Sequence, residues 1–256
     1  MKTYKYIIIG VVSFFFFVIA GLPAGTAYGY WKEYLGKSVP VELQDVHGSL
    51  WNGKAGQVRI QRVQLQRVQW DFSFFSLLTG KLKLYLDFGL KEGQGKGAIA
   101  KSLFGGVSLQ DVQAGLYLKD VAPMLGLQSL SPAGVVRLNL QELQIEDGFI
   151  VSAEGNAIWQ NAEIALFKPL QLGTLEIEVK PDENGIKGVL SDKGGPLEAQ
   201  GLLNLDTEGK YNLNGSVRVR DPLKTDLNSA INAMGRPGAD GKIPLKYSGK
   251  MQALPL

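Results

Sequence analysis

One residue of this chain carries an imidazole, His47, and none is a cysteine. A Ser-His-Asp relay, a Cys-His pair or a multi-histidine metal site would therefore rest on that single side chain or lack its parts. His47 stands in "QDVHGSLW", where a strand pattern runs into a glycine-containing turn, a position that suits packing or turning better than catalysis. Carboxylates are available for a two-carboxylate hydrolase, but they fall on the polar faces of strand patterns and in turns, where they solubilise. "KEGQGKG" at 91–97 has the glycines and lysines of a phosphate cradle, yet lacks the closing Lys-Ser/Thr and the following helix, and reads as a hairpin. These residues assign no catalytic group, no metal ligand and no cofactor, and the reading is non-enzymatic.

What the chain repeats is the spacing of tryptophan and glycine. "VQW", ending at Trp70, is followed by nine residues, Gly80 and "KLKLYL"; "AIW", ending at Trp159, is followed by thirteen residues, Gly173 and "TLEIEV". The match suggests two related halves, about 48–118 and 134–219, in which each tryptophan ends a strand and packs in the core or plugs its end. In the first copy the connection "FSFFSLLTG" is apolar enough for a short buried turn of helix. Gly48 and Gly53 flank Trp51 in "GSLWNG" and allow that turn to pack tightly on a sheet. Gly48, Trp51, Gly53, Trp70, Gly80, Trp159 and Gly173 form the structural motif.

The elements that hold these residues are strands. From Ala55 onward short bursts alternate apolar and polar residues, separated by turn signals at 146–148, 182–185, 192–195 and 206–209, the pattern of a half-buried antiparallel meander of hairpins. "GKLKLYLDF" places Leu82, Leu84, Leu86 and Phe88 on one face; "KYNLNGSVRVR" does the same with Tyr211, Leu213, Val217 and Val219. The alternation slips in "VRIQRVQLQRVQW", whose apolar residues are Val58, Ile60, Val63, Leu65, Val68 and Trp70, and slips again between Leu140 and Leu143. A two-residue hairpin at each slip would need Gly or Asn, and "QR" and "QE" supply neither, so the spacing predicts bulges in a curved sheet, with Arg59, Arg62 and Arg67 opposite the apolar face. One covering helix is expected in "DPLKTDLNSAINAMG", with Asp221 as cap, Pro222 in the first turn, a stripe of Leu223, Leu227, Ala230, Ile231 and Met234, and Gly235 as stop. "KDVAPMLGL" at 119–127 is a shorter counterpart limited by Pro123.

Between Lys5 and Lys32 no residue is charged, which is enough apolar chain to cross about 30 Å of hydrocarbon. A cleaved signal peptide, with Gly25 and Ala27 at its cleavage site, is the competing reading. The length of the run and the following Tyr28, Tyr30 and Trp31 favour a retained single-pass anchor over 6–31, with a cytoplasmic tail at 1–5 and the β-rich body, 32–256, outside the cytoplasm. In a double-membraned bacterium that space is the periplasm, where the lack of cysteine avoids mispairing. Beyond Lys2 and Lys5 the chain carries 25 basic and 24 acidic side chains, too even a balance for a nucleic-acid footprint.

The basic tail and single anchor, "VHGSLWNGKAG" leading into "VQWDFSFFSLLTGKLKL", the second "GNAIW", and the closing "GRPGADGKIPLKYSGKM" together resemble the type II secretion system protein N family over almost the full chain. That resemblance implies a bitopic inner-membrane accessory protein of the machinery that exports folded proteins across the outer membrane, with other envelope components as partners. More remotely the chain resembles AsmA-like envelope proteins, some linked to lipid movement, which implies a lipid- or hydrophobe-binding groove as the alternative. An apolar sheet face closed by packing and one open to lipid read alike in sequence, so both readings stand.

Overall fold

The computed structural model describes residues 3–34, 41–60, 63–90, 93–103, 105–122, 127–165 and 168–254. Two helices, α1 (Thr3–Ala20) and α2 (Ala24–Tyr34), precede thirteen strands: β1 (Val41–Gly48), β2 (Asn52–Ile60), β3 (Val63–Ser73), β4 (Lys81–Leu90), β5 (Gly93–Ser102), β6 (Val107–Tyr117), β7 (Ala133–Glu146), β8 (Phe149–Ala165), β9 (Pro169–Asp182), β10 (Gly185–Asp192), β11 (Leu197–Asp206), β12 (Lys210–Val219) and β13 (Ile243–Lys250). Among the described residues three short α-helices sit between strands, α3 (Phe74–Leu77), α4 (Leu118–Val121) and α5 (Thr225–Asn232), and a 3-10 turn (Gln128–Leu130) precedes β7. All thirteen strands form one antiparallel sheet in chain order, an unclosed meander with β1 and β13 as its edges.

The turn signals account for this order. Asp147 and Gly148, both at positive φ (48° and 80°), close the β7–β8 hairpin in the backbone conformation that asparagine, aspartate and glycine tolerate best. The other three signalled turns likewise join paired neighbours, β9 to β10, β10 to β11 and β11 to β12. The two proposed halves run into each other through the pairing of β6 with β7, so they are stretches of one continuous sheet.

The phase slips resolve in two ways. At the first, Ile60 pairs with Val63 and the ladder continues to Asn52 opposite Asp71, so the chain reverses across 61–62 and forms a hairpin, where a bulge was expected. A long ladder of cross-strand pairs, each contributing about 0.2 to 1 kcal/mol, outweighs poor turn chemistry at its tip. Residues 61–62, with Arg62, lie outside the described residues. The second slip is an irregularity of the expected kind. Asp45 in β1 (φ 53°) and Arg67 in β3 (φ 49°) flank Gly56 in β2, and register is the same on both sides of that row. Three strands therefore change facing together, and Val41, Leu43 and Val46 meet Ala55, Val58 and Ile60 and Leu65, Val68 and Trp70 in one cluster. Strand β4 has no slip, so the mismatch appears as a register shift between Gln66 and Gln69 against β4. The slip at Leu140 is also a bulge, with register shifting between Leu140 and Glu142.

The largest core lies at the other end of the sheet. Ala162, Leu170, Leu172, Leu197, Ala199, Val217 and Ile243, from β8, β9 and β11–β13, pack with Leu227 and Ile231 of α5. The helix covers them as expected, but it begins at Thr225, because Asp221 closes a separate turn by accepting from Leu223 N at 2.9 Å. Leu223, two residues ahead of the helix, is 86% exposed and Met234, beyond its end, is exposed; neither joins the stripe. In the shorter counterpart, α4 buries Leu118, while 123–126 lie outside the described residues.

The uncharged N-terminal run departs most from expectation. It is two helices joined through Gly21–Pro23, where one helix over 6–31 was expected. Pro23 has no N–H to continue the α1 ladder and instead forms an isolated bridge with Ser49. Among the described residues no helix is long and apolar enough to cross a membrane.

Candidate functional site

The end of the sheet next to α1 gathers most of the motif residues, and its geometry begins with "HGSLWNG". Gly48 ends β1 at φ 85°, where a Cβ would lie 2.6 Å from Asn52 O, so the four-residue reversal to β2 requires glycine there. Ser49 and Asn52 close that reversal with Ser49 N donating to Asn52 O at 2.9 Å and Asn52 N donating to Ser49 Oγ at 3.0 Å. The loop then grips the helical joint: Leu50 N donates to Leu22 O at 2.9 Å, and the Trp51 indole donates to Ile19 O at 2.8 Å. The last carbonyls of a helix have no partner within it, and here a hairpin loop supplies one donor to Ile19 O of α1 and a second to Leu22 O of the joint.

Trp51 also stacks against the strand that leaves the site. Its ring centroid is 5.0 Å from that of Phe72 and 5.3 Å from that of Phe74, and Phe72 and Phe74 are 5.4 Å apart. Beyond Phe74, α3 projects outward. Phe75 and Leu78 are each 84% exposed, and Leu77 is exposed beside them, so the expected buried turn of helix is corrected to an exposed one. Among the described residues no second layer lies over this four-residue helix to bury its far side.

Trp70 sits across Gly53, whose Cβ position would be 2.3 Å from the indole ring, and donates to Leu50 O at 3.0 Å. Trp159 makes the same construction in the second stretch: its indole donates to Ala133 O at 2.8 Å, and a Cβ on Gly134 would lie 2.9 Å from the indole nitrogen. Each tryptophan pairs with a leucine of the next strand, Trp70 opposite Leu86 and Trp159 opposite Leu175. Neither ends its strand, since β3 runs on to Ser73 and β8 to Ala165 past Asn161 at φ 49°. Gly80 (φ 70°) turns α3 into β4, and Gly173 (φ 104°) brings β9 within 2.6 Å of Gly194 O at its Cβ position.

Under α2 the sheet leaves an apolar cavity of about 300 Å³ lined by Ala27, Tyr28, Trp31, Leu43, Leu50 and Trp70. Tyr28 and Trp31 stack at 6.1 Å, and the Tyr28 hydroxyl accepts from Leu43 N at 3.0 Å. These two aromatics face the sheet, while Tyr30 and Tyr34 are exposed and stack on each other. A second, polar groove of about 610 Å³ runs over β2–β6 and is lined by Lys54, Lys96, Asp71, Asp87 and Asp111 among others, with Asp71 accepting from Asn52 Nδ2 at 2.6 Å. His47 is exposed on β1 opposite Lys54. Among the described residues no group of His, Cys, Asp and Glu is placed to hold a metal ion.

The strongest electrostatic contacts lie away from this end. Glu176 is held below the usual carboxylate range by Lys193, at 2.5 Å, and by Asn156. Glu198 is lowered by Lys242 and Arg218. Burial pulls Asp192 upward, but Arg220 at 2.6 Å and the N–H groups of Gly194 and Ala199 prevail, and its pKa is lowered overall.

The family model for Type II secretion system (T2SS), protein N matches residues 40–246. The chain belongs to that family. The type II secretion system protein N of Vibrio cholerae serotype O1 is 25% identical over 225 residues, covering 82% of this chain and 85% of its own. That of Aeromonas hydrophila is 24% identical with the same coverage, and that of Pectobacterium carotovorum is 22% identical over 91% of this chain and 97% of its own. No solved structure matches the chain. As a protein N, it is a component of the type II secretion system, associated with the cell envelope.

The sequence singled out the glycines and tryptophans of this end. It missed the exposure of Phe75 and Leu78, although "FSFFSLLTG" gave a signal: nine residues with neither a charge nor strand alternation, too apolar for a solvated loop and too short to bury itself.

Proposed function

We propose that this protein is a non-enzymatic part of the secretion machinery, held at the inner membrane by α1, with its sheet standing in the periplasm as a surface for other envelope components. One observation carries the reading: α1 exposes apolar side chains on all sides, including Ile7, Ile9, Phe14, Phe17 and Val18, while its C-terminal end is bonded to the sheet through Trp51 and Leu50. By itself α1, about 27 Å long, falls some 3 Å short of a typical hydrocarbon core, so this reading inserts it in a locally thinned bilayer, a mismatch that costs fractions of a kcal/mol per Å. Lys2 and Lys5 favour a cytoplasmic N-terminus. The test is extraction and topology: the protein should resist alkaline carbonate, and the body should be cut by protease added to spheroplasts but not to intact cells. Recovery of the full chain in an osmotic-shock fraction would end the anchored reading.

A second reading is favoured by the apolar cavity under α2, whose volume and lining suit part of one acyl chain. Native mass spectrometry of the purified protein should then show a lipid adduct that disappears when Ala27 is replaced by Phe. An adduct-free spectrum in a mild detergent would remove this reading and leave the first intact.

A further inference from the structure

We infer that α3 is a second membrane contact: its exposed tip enters the lipid interface beside α1 and fixes how the sheet stands on the bilayer. The inference rests on the proposed attachment through α1 and adds a contact which that reading does not require.

The surface is apolar and continuous with α1. Phe75 and Leu78 are 84% exposed, Phe74 and Leu77 are exposed with them, and Leu103, 63% exposed, comes from the neighbouring β5–β6 turn. Leu103 N donates to Gly80 O at 2.9 Å, which holds that turn against the end of α3. Trp51 ties the patch to α1, because its ring meets Phe72 edge-on and Phe74 at a tilt while its N–H bonds the Ile19 carbonyl. A bilayer that receives α1 up to Ile19 therefore meets α3 at the same level. Large contiguous apolar patches are uncommon on a water-facing surface and mark an interaction site.

The C-terminal side of this tip pairs its own backbone, while Ser73 gives the first turn no side-chain cap. Leu78 N, Thr79 N and Gly80 N donate to Phe75 O, Ser76 O and Leu77 O at 3.2, 3.1 and 3.0 Å, and the Thr79 hydroxyl donates to Ser76 O at 2.8 Å. Hydrocarbon penalises unpaired N–H and C=O groups, so the paired 78–80 side suits the deeper position and the uncapped first turn the headgroup level. No charge lies between Asp71 and Lys81. Just beyond the tip, Lys81 and Lys101 are exposed on the paired starts of β4 and ends of β5, at the height where ammonium groups reach anionic headgroups while the residues ahead of them are immersed.

The chain has no cysteine, so single cysteines report without background. The full-length protein carrying Phe75→Cys, Leu78→Cys, Ile9→Cys or Leu223→Cys is labelled with an environment-sensitive dye and reconstituted into phosphatidylethanolamine–phosphatidylglycerol vesicles with or without doxyl-labelled lipid. Dyes at 75, 78 and 9 should shift to the blue and lose emission to the doxyl lipid, and the dye at 223 should do neither. Quenching at 9 but not at 75 or 78 overturns the second contact and leaves the anchor standing. Quenching at none of them overturns the anchor, and this inference with it. Because a dye can itself draw a loop into lipid, unlabelled Phe75→Ser/Leu78→Ser is compared with wild type by cleavage of the α3 loop with a protease added outside the vesicles: the loop should be protected in wild type and cut in the variant. Equal cleavage overturns the inference, as does protection that depends on protein concentration, which would mean a second copy covers the patch.

Discussion

The two ends of the sheet solve the same problem differently. At the C-terminal end, five strands and α5 enclose nine buried residues, and the rim is tied by Arg220–Asp192, Arg218–Glu198 and Lys242–Glu198 at 2.6, 2.5 and 2.8 Å. At the N-terminal end, three buried residues, Ala55, Val58 and Val68, are backed by half-buried neighbours, and the ion pair Arg59–Glu42 at 3.2 Å is open to solvent. The first end has a lid and the second has α1, a cavity and an exposed α3. An unclosed sheet must finish somewhere, and this one places its stability at one end and its unpartnered apolar surface at the other.

The sharpest way to break this comparison is to charge each core. Leu227, 4% exposed, cannot solvate a carboxylate, so Leu227→Asp should cost more than about 4 kcal/mol and abolish the cooperative urea transition. Leu65→Asp, in the half-buried cluster of β1–β3, should cost about 2 to 3 kcal/mol and leave a weaker transition. Gln64→Asp is the control: it faces Arg59 across the β2–β3 ladder and should change stability by less than about 0.5 kcal/mol. Equal losses at Leu65 and Leu227 would show that the two ends are equally closed.

A smaller effect separates the two tryptophan constructions. A Cβ on Gly134 would meet the backbone oxygens of Gln160 and Asn161 at 2.5 Å, and its φ of 102° is left-handed, so moving the Trp159 ring alone cannot relieve Gly134→Ala, which should cost about 3 kcal/mol. On Gly53 the obstacle is the Trp70 ring, which can rotate, so Gly53→Ala should cost about 1 to 2 kcal/mol and shift tryptophan emission as the bond to Leu50 O is lost. Matching losses without an emission change would mean that Trp70 is as fixed as the backbone.

Much of this was legible before the structure because hairpin chemistry is local. Asp147-Gly148 fixes a turn by itself, and alternation in β4 and β12 fixes which face is apolar. What failed was non-local. The Ile60–Val63 reversal is set by a ladder running to Asp71, which no window of a few residues contains, and the start of α5 moved to Thr225 because Asp221 found a nearer N–H. The slip at Arg67 was readable as a bulge, but not that Asp45 and Gly56 would slip in the same row. At the candidate site the glycines and tryptophans were legible through their spacing, whereas the exposure of α3 depends on what lies above Phe74, which is nothing among the described residues.

Acid sharpens the comparison further. Glu176, Glu198 and Asp192 have folded pKa values below the ordinary 4.5, 4.5 and 3.8. Between the folded and ordinary values the unfolded chain binds more protons, so their stabilisation is full above about pH 4.5 to 5 and is lost as pH falls through the folded pKa values. The C-terminal end should therefore lose protection against hydrogen exchange as pH falls below about 5, and β1–β3 should change less. Replacing Arg220 by Met should remove the Asp192 share of that loss. Uniform acid weakening along the sheet would mean that these contacts are too solvated to matter.

The smallest expected effect concerns α3. If its exposed residues serve a contact outside the chain, they contribute almost nothing to folding, and Phe75→Ser with Leu78→Ser should leave the urea midpoint in detergent unchanged within about 0.5 kcal/mol. A buried pair of the same types would lose about 4 kcal/mol or more. The measurement bears on the whole contrast between the ends, because the residues of α3 are as apolar as Leu227 and Ile231 of α5, and only the presence of a second layer distinguishes them. A loss comparable to that of Leu227→Ala would place Phe75 and Leu78 in a core, and the N-terminal end would then be as closed as the other.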